Sequence, residues 1–236
     1  MKKIILIFCF LSLILFAYGE EELLSAKDLL QKYSDNFKRD IADYEADITW
    51  TQDDNVQKGK VYFKNPQKLR INFTEPNRQV ICTNGYYLWV YIDYLSLVLK
   101  QEILTKEKTK NSDGKVETVV NTILINPMGF DKFLTSYSIE YFETKNISDY
   151  KDGSKVYKLK LLRWRSSKNG FNTVFLTIQD NGIIRKIEGI TAAYKRITLE
   201  IDNLKLNSQV SDLLFNYEPP TSANVVDNFI SNQGDS

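Results

Sequence analysis

The stretch Phe63-Lys64-Asn65-Pro66-Gln67-Lys68-Leu69-Arg70-Ile71-Asn72-Phe73-Thr74-Glu75-Pro76 carries the period that sets the fold. Leu69, Ile71 and Phe73 alternate with Arg70, Asn72 and Thr74, so one face is apolar and the other meets water. Pro66 and Pro76 frame this strand and keep it short. The same period of two recurs on both sides. Upstream, Tyr44, Ala46, Ile48 and Trp50 alternate with Glu45, Asp47 and Thr49. Downstream, Val156–Leu162, Val174–Ile178, Ile183–Ile187 and Ile197–Ile201 read as further strands, as does Ser138–Phe142. Between the runs lie Asn84-Gly85, Asp113-Gly114, Asp152-Gly153, Asn169-Gly170 and Asn181-Gly182, dipeptides that accept the positive φ of tight hairpin turns. The pattern predicts an antiparallel, up-and-down sheet of about ten strands. A sheet that wide curls as its twist accumulates, and its apolar concave face must be covered or filled.

Two segments are available as cover. Ser25-Ala26-Lys27-Asp28 resembles a capping box with Asp in place of Glu, and Leu24, Leu29, Leu30, Tyr33 and Phe37 follow at helical spacing. The spacing predicts a helix over Ser25–Phe37. A shorter helix is expected within Asn126–Leu134, after the apolar run Val119–Ile125, with Phe130, Phe133 and Leu134 on one face. Two helices over so wide a sheet leave room for a cavity. The residues expected to line it are Ile48, Trp50, Leu69, Ile71, Phe73, Ile81, Trp89 and Tyr91. Met128, Phe130, Phe133 and Leu134 are expected to form a lid, with Gly129 as its hinge.

Composition narrows the chemistry. Of 236 residues 43% are hydrophobic, which suits a packed core, and the formal charge of +1 gives no reason to expect a nucleic-acid partner. The chain has no histidine and only two cysteines. That excludes His-based triads, His general bases and zinc sites needing several Cys or His ligands. Carboxylate chemistry is the common catalytic class left open. Its candidates, Asp43, Glu45, Asp47, Asp53 and Asp54, cluster on one strand and its turn, where a solvated face explains them better. No cofactor and no catalytic residue is expected.

The N-terminus reads as a separate device. Lys2 and Lys3 precede the apolar stretch Ile4–Phe16, and Ala17-Tyr18-Gly19 supplies small residues before acidic Glu20-Glu21-Glu22. This is the three-part pattern of a secretory signal peptide, residues 1–19. The stretch is shorter than the about 20 residues of a membrane span. Cleavage after Gly19 leaves residues 20–236 as one domain with a formal charge of −1, since two of the 31 basic residues are lost against 30 acidic ones. Only Cys82 then remains, a thiol expected to be packed rather than reactive.

The quoted run resembles the segment typical of periplasmic outer-membrane lipoprotein carriers, the LolA family. Val80-Ile81-Cys82-Thr83-Asn84-Gly85 and Leu88-Trp89-Val90-Tyr91 continue as that family does. Phe215-Asn216-Tyr217-Glu218-Pro219-Pro220, followed by Asn224-Val225-Val226-Asp227, is similar to its terminal Phe-x-x-x-Pro-Pro element. The resemblance implies a mainly β fold, an unclosed antiparallel β-barrel with helices as a lid over a hydrophobic cavity. It implies a monomeric periplasmic carrier that takes triacylated lipoproteins from an inner-membrane releasing transporter toward the outer membrane and a receptor there. Members of the family carry a lid-latching Arg where this chain has Asn65, so Asn65 or Arg70 is the expected latch. A lipid-anchored receptor of the same fold would need a Cys just after the signal sequence, where Glu20 stands. Burying a methylene is worth about 0.8 kcal/mol, so an acyl chain of about 16 carbons costs on the order of 12 kcal/mol to leave in water. A carrier therefore needs a wide apolar cavity and no covalent chemistry.

Overall fold

A computed structural model describes residues 24–102, 127–165 and 170–227. The signal-peptide reading, the apolar run 119–125 and the Asp113-Gly114 turn lie outside them.

Helix α1, Ala26–Asp40, starts where the sequence places it. The Ser25 hydroxyl accepts from the Asp28 N–H at 3.1 Å and donates to the Asp28 carboxylate at 2.6 Å, satisfying a first-turn amide. Three further residues beyond Phe37 extend it to Asp40. Strands β1 (Asp43–Gln52), β2 (Asn55–Lys64), β3 (Lys68–Glu75), β4 (Asn77–Thr83), β5 (Tyr87–Ile92) and β6 (Leu97–Glu102) follow as a meander. Helix α2 spans Pro127–Ser136 and runs directly into β7, Tyr137–Tyr141. Then come β8 (Ser148–Asp149), β9 (Lys155–Arg163), β10 (Phe171–Gln179), β11 (Ile184–Thr191), β12 (Arg196–Leu206) and β13 (Asn224–Asp227).

All thirteen strands join one sheet, in the order β13-β6-β5-β4-β3-β2-β1-β12-β11-β10-β9-β7, with β8 beside β9. The sheet is not closed. Two features depart from the expected meander. It is two meanders stitched together by β1 against β12, strands more than 140 residues apart in register pairs such as Ile48 and Ile201. And β13 lies parallel to β6, which no hairpin signal could announce. The described turn glycines Gly85, Gly153, Gly170 and Gly182 all take positive φ. Gly182 has φ +86°, and a Cβ there would stand 2.1 Å from the Tyr33 carbonyl oxygen, so the β10–β11 turn sits directly against α1.

Each face of the sheet is packed differently. On the concave side Leu29, Leu30, Tyr33 and Phe37 of α1 and Phe130, Phe133 and Leu134 of α2 bury against Ile48, Val61, Phe63, Ile71, Leu159, Leu176 and Ile201. On the convex side Cys82, Trp89, Tyr91 and Val98 form a second cluster, covered by Tyr217 and Ala223 of the C-terminal segment. That segment is held by Asp212, which pairs with Lys64 at 2.8 Å and Lys68 at 2.6 Å. Leu162 faces outward while Leu161 is buried, so only one of this pair belongs to the core. Asp43, read from its parity as solvated, is buried and accepts from Ser208, because residues 207 and 208 fold back over it. Glu45 and Asp47 make cross-strand contacts with Lys205 at 2.6 Å and Asn203 at 2.7 Å.

Candidate functional site

The concave trough is the one apolar concavity that the sequence anticipates, and its cover is uneven. Register fixes which side chains share it. Ile71 stands opposite Ile81, Ile81 opposite Val90, and Val90 opposite Leu99. Ile71 is buried, whereas Ile81, Val90 and Leu99 are only partly buried. Burial also falls along each strand. Ile48 and Leu199 are buried, but Trp50 and Ile197, two residues further toward the β1–β2 and β11–β12 turns, are not fully covered. Phe171 belongs to the same partly covered rim, its ring lying over Gly189, where a Cβ would come within 2.4 Å of it. Among the described residues, the trough is therefore fully covered at the end crossed by α1 and more thinly covered toward the β1–β2 and β11–β12 turns.

Its interior is aromatic. Phe37 meets Phe63 at 5.4 Å and Phe130 at 6.2 Å, and Phe133 meets Tyr137 edge-on at 5.8 Å. Burial pushes the Tyr33 and Tyr44 hydroxyls well above the usual phenol range, so neither ionises in the physiological range. Among the described residues no group of three or more His, Cys, Asp or Glu is placed to hold a metal. No helix among them is long and apolar enough to cross a membrane. A separate cleft of about 880 Å³ lies between the start of α1 and β7. Asp28, Glu140, Glu143 and Lys145 line it together with Leu24, Ile139 and Tyr141, so its wall is mixed.

The two helices are held differently. At the end of α1 the Asn65 amide donates to the carbonyls of Lys38 at 3.3 Å and Ile41 at 3.2 Å, and Asn36 donates to the Asp180 carbonyl at 2.8 Å. With Gly182 beneath it, α1 is a fixed part of the core. Helix α2 touches α1 through Phe130 and through an exposed ion pair, Lys38 to Asp131 at 3.0 Å.

Of the expected lining, Ile48, Trp50, Leu69, Ile71, Phe73 and Ile81 share the concave cluster. Trp89 and Tyr91 do not. They point to the convex face with Cys82, because Tyr87–Ile92 is apolar in both registers and parity cannot choose between them. Arg70 likewise faces away from the helices. It donates to the Leu214 carbonyl at 2.8 Å and lies 5.8 Å from the Tyr217 ring centre, so it clamps the C-terminal segment, not a lid. Of the expected lid, Phe130, Phe133 and Leu134 bury into the trough, while the Met128 side chain lies outside the described structure. Sequence reading missed Val90, Leu99, Phe171 and Ile197. Ile197 was visible as part of an alternating strand, but its depth depends on where the helices stop.

The model for the family described as "Outer membrane lipoprotein carrier protein LolA" matches residues 47–218. An outer-membrane lipoprotein carrier protein of Francisella tularensis subsp. tularensis (strain WY96-3418) is 23% identical over 243 residues, covering 96% of this chain and 98% of that protein. One of Glaesserella parasuis serovar 5 (strain SH0165) is 23% identical over 229 residues, covering 96% of each. Among solved structures, an uncharacterized conserved protein from Thermus thermophilus superposes with a TM-score of 0.54 at 11% identity, covering 86% of this chain and 98% of that one. A chain of the Pseudomonas aeruginosa MucA/MucB complex superposes with a TM-score of 0.51 at 10% identity, over 85% of this chain and 63% of that one.

Proposed function

We propose, on the premise that this chain belongs to the LolA family of outer membrane lipoprotein carrier proteins, that it shields the acyl chains of lipoproteins in transit to the outer membrane. The observation that carries this reading is the graded cover of the concave face. An apolar trough filled by α2 rings at one end and more thinly covered at the other can exchange its own aromatic filling for a ligand's hydrocarbon. Such an exchange keeps apolar area buried on both sides of the equilibrium, so grip and release differ by little free energy. Ile48, Trp50, Leu69, Ile71, Phe73 and Ile81 would meet the chains, joined by Val90, Leu99, Phe171 and Ile197 near the opening.

Helix α2 acts as the lid. Phe130, Phe133 and Leu134 occupy the place a ligand takes, and its exposed ion pair to α1 is worth at most about 1 kcal/mol. Asn65 is the latch in a changed role: it secures the fixed helix α1. The protein works as a periplasmic monomer after loss of residues 1–19, accepting triacylated lipoproteins from an inner-membrane transporter and passing them to an outer-membrane acceptor. It performs no catalysis and needs no cofactor. Organic extraction of protein purified from the native envelope tests the reading directly. Recovery of lipoprotein acyl chains in stoichiometric amount is expected; protein that is consistently lipid-free, and that releases no lipoprotein from spheroplasts, would sink it.

A further inference from the structure

We propose that the end of β9 and the β11–β12 turn, at the thinly covered end of the trough, dock on an anionic bilayer surface through Trp164 and Tyr194. Strand order makes these two segments neighbours, since β9, β10, β11 and β12 are consecutive in the sheet. Both rings stand out from ordered backbone. Trp164 is 63% exposed although its N–H is fixed to the Ser136 carbonyl at 3.2 Å. Tyr194 is 89% exposed, in a left-handed turn position (φ 59°) with its N–H on the Thr191 carbonyl at 3.0 Å. Neither contributes to the core, and both have the amphipathic build that settles at a headgroup layer.

Charge selects the occupant. Arg163 and Arg165 flank Trp164, and Lys195 and Arg196 follow Tyr194. Among the described residues, Glu188 is the acid in this patch, and it pairs with Arg196 at 2.7 Å. Asp53 and Asp54 sit on the adjacent β1–β2 turn, so the cationic side of the rim is the β9–β12 side and contact is tilted toward it. Cations interleaved with exposed aromatic rings match a surface of anionic lipid, where the rings enter the headgroups and the long basic side chains reach phosphate. Tyr86, an exposed ring at the opposite end, lacks such flanking charge and serves as the internal control. The docking is independent of what fills the trough, but it sets the opening against the membrane.

Cosedimentation with vesicles tests it, comparing phosphatidylcholine alone with equal parts phosphatidylcholine and phosphatidylglycerol. Every variant keeps the same N-terminus, so the apolar 4–16 stretch contributes an equal background, read on the neutral vesicles. The full chain should show an anion-dependent gain in partition. Trp164→Ser with Tyr194→Ser should lower that gain tenfold or more, and Arg165→Glu with Lys195→Glu should abolish it. Tyr86→Ser should leave it unchanged. An absent gain in the wild type, an unchanged gain in the double serine variant, or equal loss in Tyr86→Ser overturns the proposal. Circular dichroism should find all of these surface variants folded.

Discussion

Asn65 closes the carbonyl end of α1 with one amide, offering both Lys38 and Ile41 a donor that their own helix cannot supply. A neutral side chain suffices because helix-end carbonyls carry only partial negative charge. Asn65→Ala should therefore cost about 1 kcal/mol in urea unfolding. Asn65→Asp should cost more, because it replaces the donor with a carboxylate facing that same negative end. Equal stability of the two variants would mean that the amide does not hold the helix. Cys82 stands for the opposite lesson. Its thiol is pushed up to about 11 by burial and meets only the Phe215 carbonyl, at 3.8 Å, so it is a packing residue of the convex cluster. That it is buried was legible from the sequence. That Trp89 and Tyr91 share its face was not, because every residue from Tyr87 to Ile92 is apolar and alternation carries no information there.

At the scale of elements, the C-terminal segment and α2 each have their own test. Lys64 and Lys68 hydrogen-bond to Asp212 and hold its carboxyl down at about 2. An unfolded Asp titrates near about 3.9. A depressed native value means that this pairing stabilises above pH about 4 and is lost as pH falls toward about 2. Tryptophan emission from Trp89, which packs against Tyr217 at 6.2 Å, should report release of the segment across that window. Asp212→Asn should flatten this acid transition and loosen the segment at neutral pH; a transition unchanged in the variant would assign it to another carboxylate. For α2, hydrogen exchange with and without an acyl probe should change over Phe130–Ser136 and stay constant over Leu69–Phe73. Equal changes in both would remove the lid role. The sequence marked α2 by three apolar residues on one face, but the anchoring of α1 emerges only from the fold, in which its Asn36 donates to the Asp180 carbonyl, Asn65 donates to its last carbonyls and Gly182 sits against it.

For the whole molecule, strand period and turn dipeptides made the curved sheet legible, whereas the joining of its two halves across β1 and β12 depends on pairings that no local pattern encodes. How deep each trough residue lies depends on that joining and on the two helices. Ile71 and Ile81 isolate this depth. They are register partners on neighbouring strands, identical in type, and both in the concave cluster, yet Ile71 is buried and Ile81 only partly so. An aspartate at Ile71 would be a buried, unpaired charge, costing several kcal/mol and breaking the cooperative transition. An aspartate at Ile81 can keep water on the partly open side, so Ile81→Asp should fold with a loss of about 1 to 3 kcal/mol. Binding an acyl chain over Ile81→Asp would require stripping that water, so a fluorescent fatty-acid probe should fail to bind the folded variant. Near-ultraviolet circular dichroism reports the fold and probe emission the binding. If both variants unfold, the row is plain core and the opening between β4 and β6 takes no ligand. If Ile81→Asp folds and still binds, the acyl chain lies along the Trp50, Phe171 and Ile197 rim instead, and an aspartate at Ile197 becomes the substitution that blocks it.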